Sequence, residues 1–211
     1  MADEVEVVET EGRDEFLMQF DPGTVKHLGL HMYSTLPPVI GELVSNAWDA
    51  GAHKVYVSLP MDYVTVDSVI TVEDDGDGMD DTDIRYAYLI VGRDRRKAED
   101  SDKRKREPER PVMGRKGIGK FAGFGIAGRV EIETAKDGQV SRFIMDYDQL
   151  DNPNNKREVK FPPLRPTGNV SKGTLITLRD IGRFRTRRID ITGLRSGLAR
   201  RFSILGDDFT V

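Results

Sequence analysis

An acid, an amide and a second acid follow one another at short intervals in the chain, at Glu42, Asn46 and Asp49. Intervals of four and three residues place all three side chains on one side of a helix. A carboxylate near a phosphate can orient and deprotonate water, and an amide oxygen is a suitable hard ligand for magnesium. The spacing therefore indicates metal-assisted phosphate hydrolysis, and the competing interpretation is the solvated face of an amphipathic helix.

A first glycine cluster, Asp74-Asp75-Gly76-Asp77-Gly78, follows a predicted strand. The glycines Gly76 and Gly78 allow the backbone to turn and to approach a flat ligand closely. A fixed carboxylate at Asp74 can accept a hydrogen bond from an exocyclic amine such as that of adenine. The competing interpretations are a β-turn rich in Asp and Gly, or a calcium loop, although the acids do not follow the spacing of the helix-loop-helix calcium motif.

A second glycine cluster, Gly114-Arg115-Lys116-Gly117-Ile118-Gly119-Lys120, nearly matches the P-loop pattern. That pattern requires Ser or Thr after the lysine to bind magnesium, and the residue here is Phe121. We therefore reject a P-loop. Successive backbone N–H groups in this segment, with a helix predicted to begin at Phe121, are still suited to phosphate binding.

The elements that must position these residues are predicted from apolar periodicity and turn signals. Pro37 and Pro38 suit the first turn of a helix whose apolar stripe ends at Gly51. A second helix is predicted from Asp80 to about Ile90. Alternating or β-rich segments predict strands at 16–20, 54–59, 68–73, 129–134, 141–146 and 173–178, with a terminal helix near 194–204 and a last strand beginning at 209. This order predicts an α+β fold, a mixed β-sheet with helices packed on one face.

Composition restricts the class of protein. The 211 residues carry a net charge of −4, with 37% hydrophobic and 32% charged residues, which suits a globular domain and argues against a general nucleic-acid coat. The absence of cysteine excludes disulfides, thiolate zinc sites and cysteine nucleophiles. The acidic amino terminus is unlike a secretory signal, and no apolar run approaches the ~20 residues that cross a bilayer. We expect a cytoplasmic protein without a membrane partner.

Taken in order, the motifs resemble those of the GHKL ATPases, the superfamily of gyrase, heat-shock chaperones, histidine kinases and MutL. Glu42 to Ala50 looks like the asparagine box, and Asp74 to Met79 looks like the first glycine box. Gly114 to Lys120 looks like the second glycine box, and Gly173-Thr174 like the terminal Gly-Thr pair. The resemblance covers roughly residues 25–180. Within the superfamily, the motifs are most similar to those of the ninety-kilodalton heat-shock chaperones and the Microrchidia-type ATPases. It implies the Bergerat fold, a two-layer sandwich with a long ATP lid.

The resemblance also implies a role for each matching residue, with ATP and Mg²⁺ as the ligands. Glu42 would be the catalytic base that orients the attacking water, and Asn46 would ligate magnesium. Asp74 would bind the adenine amine, with Thr174 supporting a bridging water. Asp49 would lie near the adenine or the sugar. The other positions implied to bind nucleotide, through backbone groups or as pocket walls, are Gly76, Gly78, Met79, Gly114, Gly117, Ile118, Gly119 and Lys120.

The same resemblance divides the chain. Residues 1–13 are predicted to be a flexible acidic terminus, and 14–186 to be the ATPase domain, with the lid at about 93–116. Residues 187–211 are predicted to form a terminal helix and strand that lead into a downstream domain. Lid closure in this superfamily drives dimerisation, so a nucleotide-dependent homodimer is expected.

Several functions stay open at this stage. The ATP switch could serve a protein client, as in a chaperone, or DNA, as in MutL or Microrchidia proteins. A histidine-kinase-type catalytic domain is an alternative, although Glu42 argues for water activation and a kinase must avoid hydrolysis. A non-hydrolysing nucleotide scaffold is a further alternative. The sequence contains no candidate for the lysine or arginine that related enzymes borrow from a following domain to contact the terminal phosphate. Slow turnover is therefore expected from this segment alone.

Overall fold

A five-stranded antiparallel sheet forms the centre of this computed structural model, which describes residues 16–19, 35–61, 63–65, 67–90, 113, 119–150, 158–181, 188–202 and 208–211. Two further strands, β1 (Phe16–Gln19) and β6 (Glu158–Phe161), pair with each other in an antiparallel manner. The strands of the central sheet are β2 (Val55–Ser58), β3 (Ile70–Asp74), β4 (Arg129–Lys136), β5 (Gln139–Asp146) and β7 (Gly173–Arg179), in the spatial order β2-β3-β7-β4-β5.

The described helical elements are mostly short. They are α1 (Leu36–Asp49), α2 (Asp81–Asp83), a π-helical turn (Ile84–Tyr88), a 3₁₀ helix (Gly119–Gly125), α3 (Tyr147–Leu150) and α4 (Ile191–Phe202). Helix α1 contacts the 3₁₀ helix, α4 and strand β3. No helix among the described residues is long and apolar enough to cross a membrane.

Helix α1 forms where the apolar stripe predicts it. Pro37 and Pro38 lie in its first turn, where their missing N–H groups have no intrahelical partner to lose. Val39, Ile40 and Val44 are fully buried in the core cluster shared with the sheet. Burial of each side chain of this size stabilises the fold by roughly 1.5–3 kcal/mol. Because any other rotation of the helix about its axis would expose these side chains, the burial fixes that rotation. The polar positions between these residues are therefore held at defined places beside the sheet.

The fold class is confirmed as α+β, with helices packed on the sheet. The prediction of a mixed sheet is corrected, because every pair of named strands is antiparallel. The parallel pairing found among the described residues is one isolated bridge between Lys54 and Thr210. The β4–β5 hairpin is confirmed, and Asp137 and Gly138 at its turn have φ values of 50° and 80°. Positive φ at both central residues is the conformation that suits a two-residue hairpin.

Other boundaries differ from the predictions. The helix expected from Asp80 to about Ile90 is one α-helical turn followed by a π-helical turn, with Asp80 as its capping residue. The helix expected to begin at Phe121 is a 3₁₀ helix that begins at Gly119. Strand β6 is not predicted from the sequence, because its pairing partner is distant along the chain. Residues 1–13 and the predicted lid, apart from Met113, lie outside the described residues, so the proposed division into domains stays a prediction.

Candidate functional site

A row of polar residues crosses four neighbouring strands of the sheet. Asp74 on β3 lies opposite Thr174 on β7, and Thr174 lies opposite Thr134 on β4. Ser141 on β5 continues the row opposite Thr134. Residues directly opposite one another project to the same face of a sheet. All four are buried, so the antiparallel register aligns three hydroxyl groups and a carboxylate in one buried row.

Residue Asp74 is 9% exposed, and its carboxyl accepts a hydrogen bond from the Gly76 amide, with a distance of 2.9 Å between Oδ1 and N. Burial raises its pKa from 3.8 to about 6, against the opposing effect of backbone hydrogen bonds from Gly76 and Thr174. With this pKa, the buried carboxyl is mostly ionised at neutral pH. A buried carboxylate favours a ligand that donates a hydrogen bond to it. This environment suits the role that the sequence implies for Asp74.

The neighbouring Asp75 has a different environment. Its Oδ1 accepts hydrogen bonds from the backbone amides of His53 at 2.7 Å and Lys54 at 2.8 Å. Partial burial raises its pKa, but the hydrogen bonds from Lys54 and His53 outweigh burial and hold the pKa of Asp75 below the ordinary value. Asp75 therefore anchors the start of β2 to the end of β3, and only Asp74 is directed into the polar row.

Two glycines let neighbouring backbone segments approach the row. Gly78 has φ of +67°, and a Cβ there would collide with the carbonyl of Ala135 on β4. Gly173 has φ of +84°, and a Cβ there would collide with the carbonyl of Asp74. Both positions combine a left-handed backbone with a closely approaching chain, so a side chain at either would force the strands apart. These are the glycines of the first glycine box and of the terminal Gly-Thr pair.

Thr134 is not among the site residues expected from the sequence, although it lies at the centre of the network. Its Oγ1 lies 3.1 Å from the Gly173 carbonyl and 3.1 Å from Thr174 Oγ1. It also accepts a hydrogen bond of 2.9 Å from the amide of Met79. Thr134 thus connects Met79, expected at the adenine pocket, to Thr174, expected to hold a bridging water. Its sequence signal is only one hydroxyl residue among the strand-forming residues of β4.

The polar side of α1 carries two of the predicted ligands. Asn46 is half-buried, and no hydrogen bond to its side-chain amide occurs among the described residues. Asp49 is 5% exposed, and its Oδ1 accepts a hydrogen bond of 2.7 Å from the amide of Met113. Asp49 therefore binds the carboxyl end of the predicted lid, a contact that is compatible with the expected place near the adenine or the sugar.

Glu42, one turn earlier on α1, is oriented from two sides. A Cβ added at Gly119 would collide with Glu42 Oε1 and would lie 3.0 Å from its Cγ, so the glycine permits this approach. The other oxygen, Oε2, lies 3.2 Å from Nη2 of Arg201 on α4. The carboxylate thus lies between the second glycine box and the terminal helix. No sequence pattern indicates this arginine, which is 159 residues from Glu42.

The side chain of Lys120 is hydrogen-bonded to the protein backbone. The residue is 8% exposed, and Nζ donates to the carbonyl oxygens of Tyr88 and of Ile90, the latter at 2.6 Å. Its ammonium group therefore satisfies backbone carbonyls at and just beyond the end of the π-helical turn. Gly114, Gly117 and Ile118 lie outside the described residues.

The donor set at the site fits a magnesium ion that the nucleotide brings with it. Within the described part of the chain, no group of three His, Asp or Glu residues could hold a metal by itself. Magnesium in nucleotide sites is commonly held by one or two protein groups together with phosphate oxygens and water. The half-buried Asn46 amide beside Glu42 can supply one such ligand.

The sheet, the helix with its glutamate and asparagine, and the buried aspartate with its threonines define a GHKL-type ATPase domain. In agreement, the family model for histidine kinase-, DNA gyrase B- and HSP90-like ATPases matches residues 33–177. The chain belongs to this ATPase family. It is also 32% identical over 194 residues to a protein from Herpetosiphon aurantiacus that is named a putative type II restriction enzyme, HgiDII. That match includes 90% of this chain but only 30% of the relative.

Proposed function

We propose that this domain binds ATP with Mg²⁺ and hydrolyses the terminal phosphate. The observation that carries the proposal is the buried Asp74 carboxyl, aligned with Thr174 and Thr134 beneath two glycines that tolerate no side chain. An acid in this position selects an amine donor such as the one on adenine. It therefore favours adenine over guanine, which carries a carbonyl at the corresponding position.

The residues of α1 would act at the phosphate end. Asn46 would hold Mg²⁺, which neutralises negative charge on the phosphate oxygens when bound. Glu42 would orient a water molecule and accept its proton as the water oxygen bonds to the terminal phosphorus and the bond to ADP breaks. Backbone amides at Gly119 and Lys120 would contact phosphate oxygens. Gly119 lies close to Glu42, which supports a phosphate site near the proposed base.

The wider role that we propose is a DNA-linked one. The relative is named a restriction enzyme, and this chain matches 30% of its length. The domain would then act as an ATP-dependent switch within a larger protein, with lid closure and nucleotide-dependent homodimerisation as its output. A chaperone-like clamp acting on a protein client is the second candidate, and it is supported only by the family match.

Two variants test the core of the proposal. Glu42→Gln should retain ATP affinity, measured by isothermal titration, and abolish phosphate release, because the amide cannot accept the proton from water. Asp74→Asn should lose ATP binding. If wild type binds ATP but releases no phosphate, the domain is a nucleotide-binding scaffold. Transfer of radiolabel from the terminal phosphate of ATP to the protein would instead support a histidine-kinase-type domain.

The DNA-linked role needs a separate measurement. Phosphate release by the full-length protein should rise when duplex DNA is added, and it should not rise with an unfolded model protein. The reverse result would support a chaperone-like clamp.

A further inference from the structure

The guanidinium group of Arg201 binds two residues of α1 at once. Its Nη2 lies 3.2 Å from Glu42 Oε2 and 3.0 Å from Ser45 Oγ. Ser45 is 1% exposed, and its hydroxyl donates to the Gly41 carbonyl at 2.7 Å, so its lone pairs are turned toward the arginine. The guanidinium therefore has two polar partners on α1, although 41% of the Arg201 side chain is exposed and solvent screens its charge.

Gly41 provides the room for this contact. A Cβ at position 41 would lie 2.8 Å from Nη1 of Arg201. Glycine in a helix interior lowers helix stability by about 1 kcal/mol relative to alanine. At the buried position 41 of α1, this cost is offset by the space that glycine leaves for the guanidinium. The arginine therefore contacts one face of the helix, at Gly41, Glu42 and Ser45.

Arg201 belongs to helix α4, which packs against α1. Leu194 of α4 belongs to the main core cluster, and Phe202 packs on Phe209 with ring centroids 5.9 Å apart. Phe209 in turn makes a T-shaped contact with Trp48 on α1, at 5.2 Å between centroids. The position of Arg201 therefore depends on the docking of α4 and of the segment that includes Phe209.

We propose that Arg201 is a positioning residue for Glu42 in the ATPase reaction, and that it makes turnover depend on the docking of α4. The inference rests on the proposed function of Glu42 as the base. By binding Oε2, Arg201 leaves Oε1 directed toward Gly119, where water and the terminal phosphate would meet. The basic residues of the second glycine box are the ones that the sequence motifs mark, and the fold brings a further basic residue, Arg201, from α4.

The test separates turnover from binding. Arg201→Ala should lower kcat roughly tenfold to a hundredfold, the range expected when a catalytic group loses its alignment. ATP affinity should stay within about twofold of wild type. Arg201→Lys should recover part of kcat, because a point charge can still meet one oxygen of Glu42.

Two controls exclude a purely structural effect. Arg195→Ala removes an exposed arginine from the same helix and should leave kcat unchanged. Gly41→Ala should shift the flexible end of Arg201 without removing it, so it should lower kcat less than Arg201→Ala does, while adding helix propensity. The fluorescence emission of Trp48, the sole tryptophan, reports whether Phe209 stays packed against it. This emission should be the same in Arg195→Ala and Gly41→Ala as in wild type.

Several results would overturn the inference. Unchanged or faster turnover in both Arg201→Ala and Gly41→Ala would show that Arg201 does not position Glu42. A parallel loss of ATP affinity would assign Arg201 to nucleotide binding instead. If Arg201→Ala unfolds, Gly41→Ala and Arg201→Lys decide the question alone. Failure of the proposed function is recognised separately, by absent phosphate release in wild type or by normal release in Glu42→Gln.

Discussion

Replacement of Asp74 by asparagine should stabilise the ligand-free protein and at the same time abolish its affinity for ATP. Burial raises the pKa of Asp74 from 3.8 to about 6, so the ionised carboxylate is disfavoured in the folded state. A difference of about two pKa units corresponds to about 3 kcal/mol. The asparagine side chain would carry no charge, and its carbonyl oxygen could still accept the hydrogen bond from Gly76.

The sign of the pH dependence follows from the direction of the pKa shift. Because the folded-state pKa lies above the unfolded one, ionisation of Asp74 lowers stability, and the full cost is present above about pH 6. The cost shrinks as the pH falls through 6 and disappears below about 4. Asp74→Asn should therefore raise the free energy of unfolding by up to about 3 kcal/mol at pH 7.5, and by roughly half as much at pH 5.

Urea unfolding at the two pH values, with ATP titration at pH 7.5, measures both effects. Asp75→Asn is a matched control with the opposite sign, because the pKa of Asp75 lies below its ordinary value. The control should lose stability to the same extent at both pH values, and this loss should shrink only below the ordinary pKa of 3.8, where the carboxyl of the folded protein becomes protonated. The reasoning would be refuted if Asp74→Asn were less stable than wild type at pH 7.5, or if its ATP affinity were unchanged.

Two further outcomes are expected. The affinity of the wild-type domain for ATP should fall as the pH drops below about 6, because protonated Asp74 loses acceptor capacity, and Asp75→Asn should keep the wild-type profile in the same titration. Lys120→Met should lower the free energy of unfolding by about 2 kcal/mol, since it leaves the carbonyl groups of Tyr88 and Ile90 without their donor. Its ATP affinity should remain within about twofold of wild type, and lost affinity at unchanged stability would instead assign the Lys120 side chain to the phosphates.

Local features of the chain are predictable because short-range chemistry determines them. The prolines and the apolar stripe of α1 specify a helix, and they fix Asn46 on one side of it regardless of the rest of the fold. The Asp137-Gly138 turn specifies a two-residue hairpin, because its positive φ values suit few other residues. Strand β6 escapes prediction because its pairing partner lies more than a hundred residues earlier in the chain.

The sequence alone determined which residues can do chemistry here: an acid and an amide on one helical face, an aspartate before a glycine cluster, and a threonine on a late strand. Only the tertiary structure decided their environments. Strand register set Thr134 beside Thr174, burial raised the pKa of Asp74, and the docking of α4 brought Arg201 to Glu42 across 159 residues of sequence. Hydrogen bonding and desolvation depend on neighbours in space, and a residue's sequence neighbours supply only a few of these.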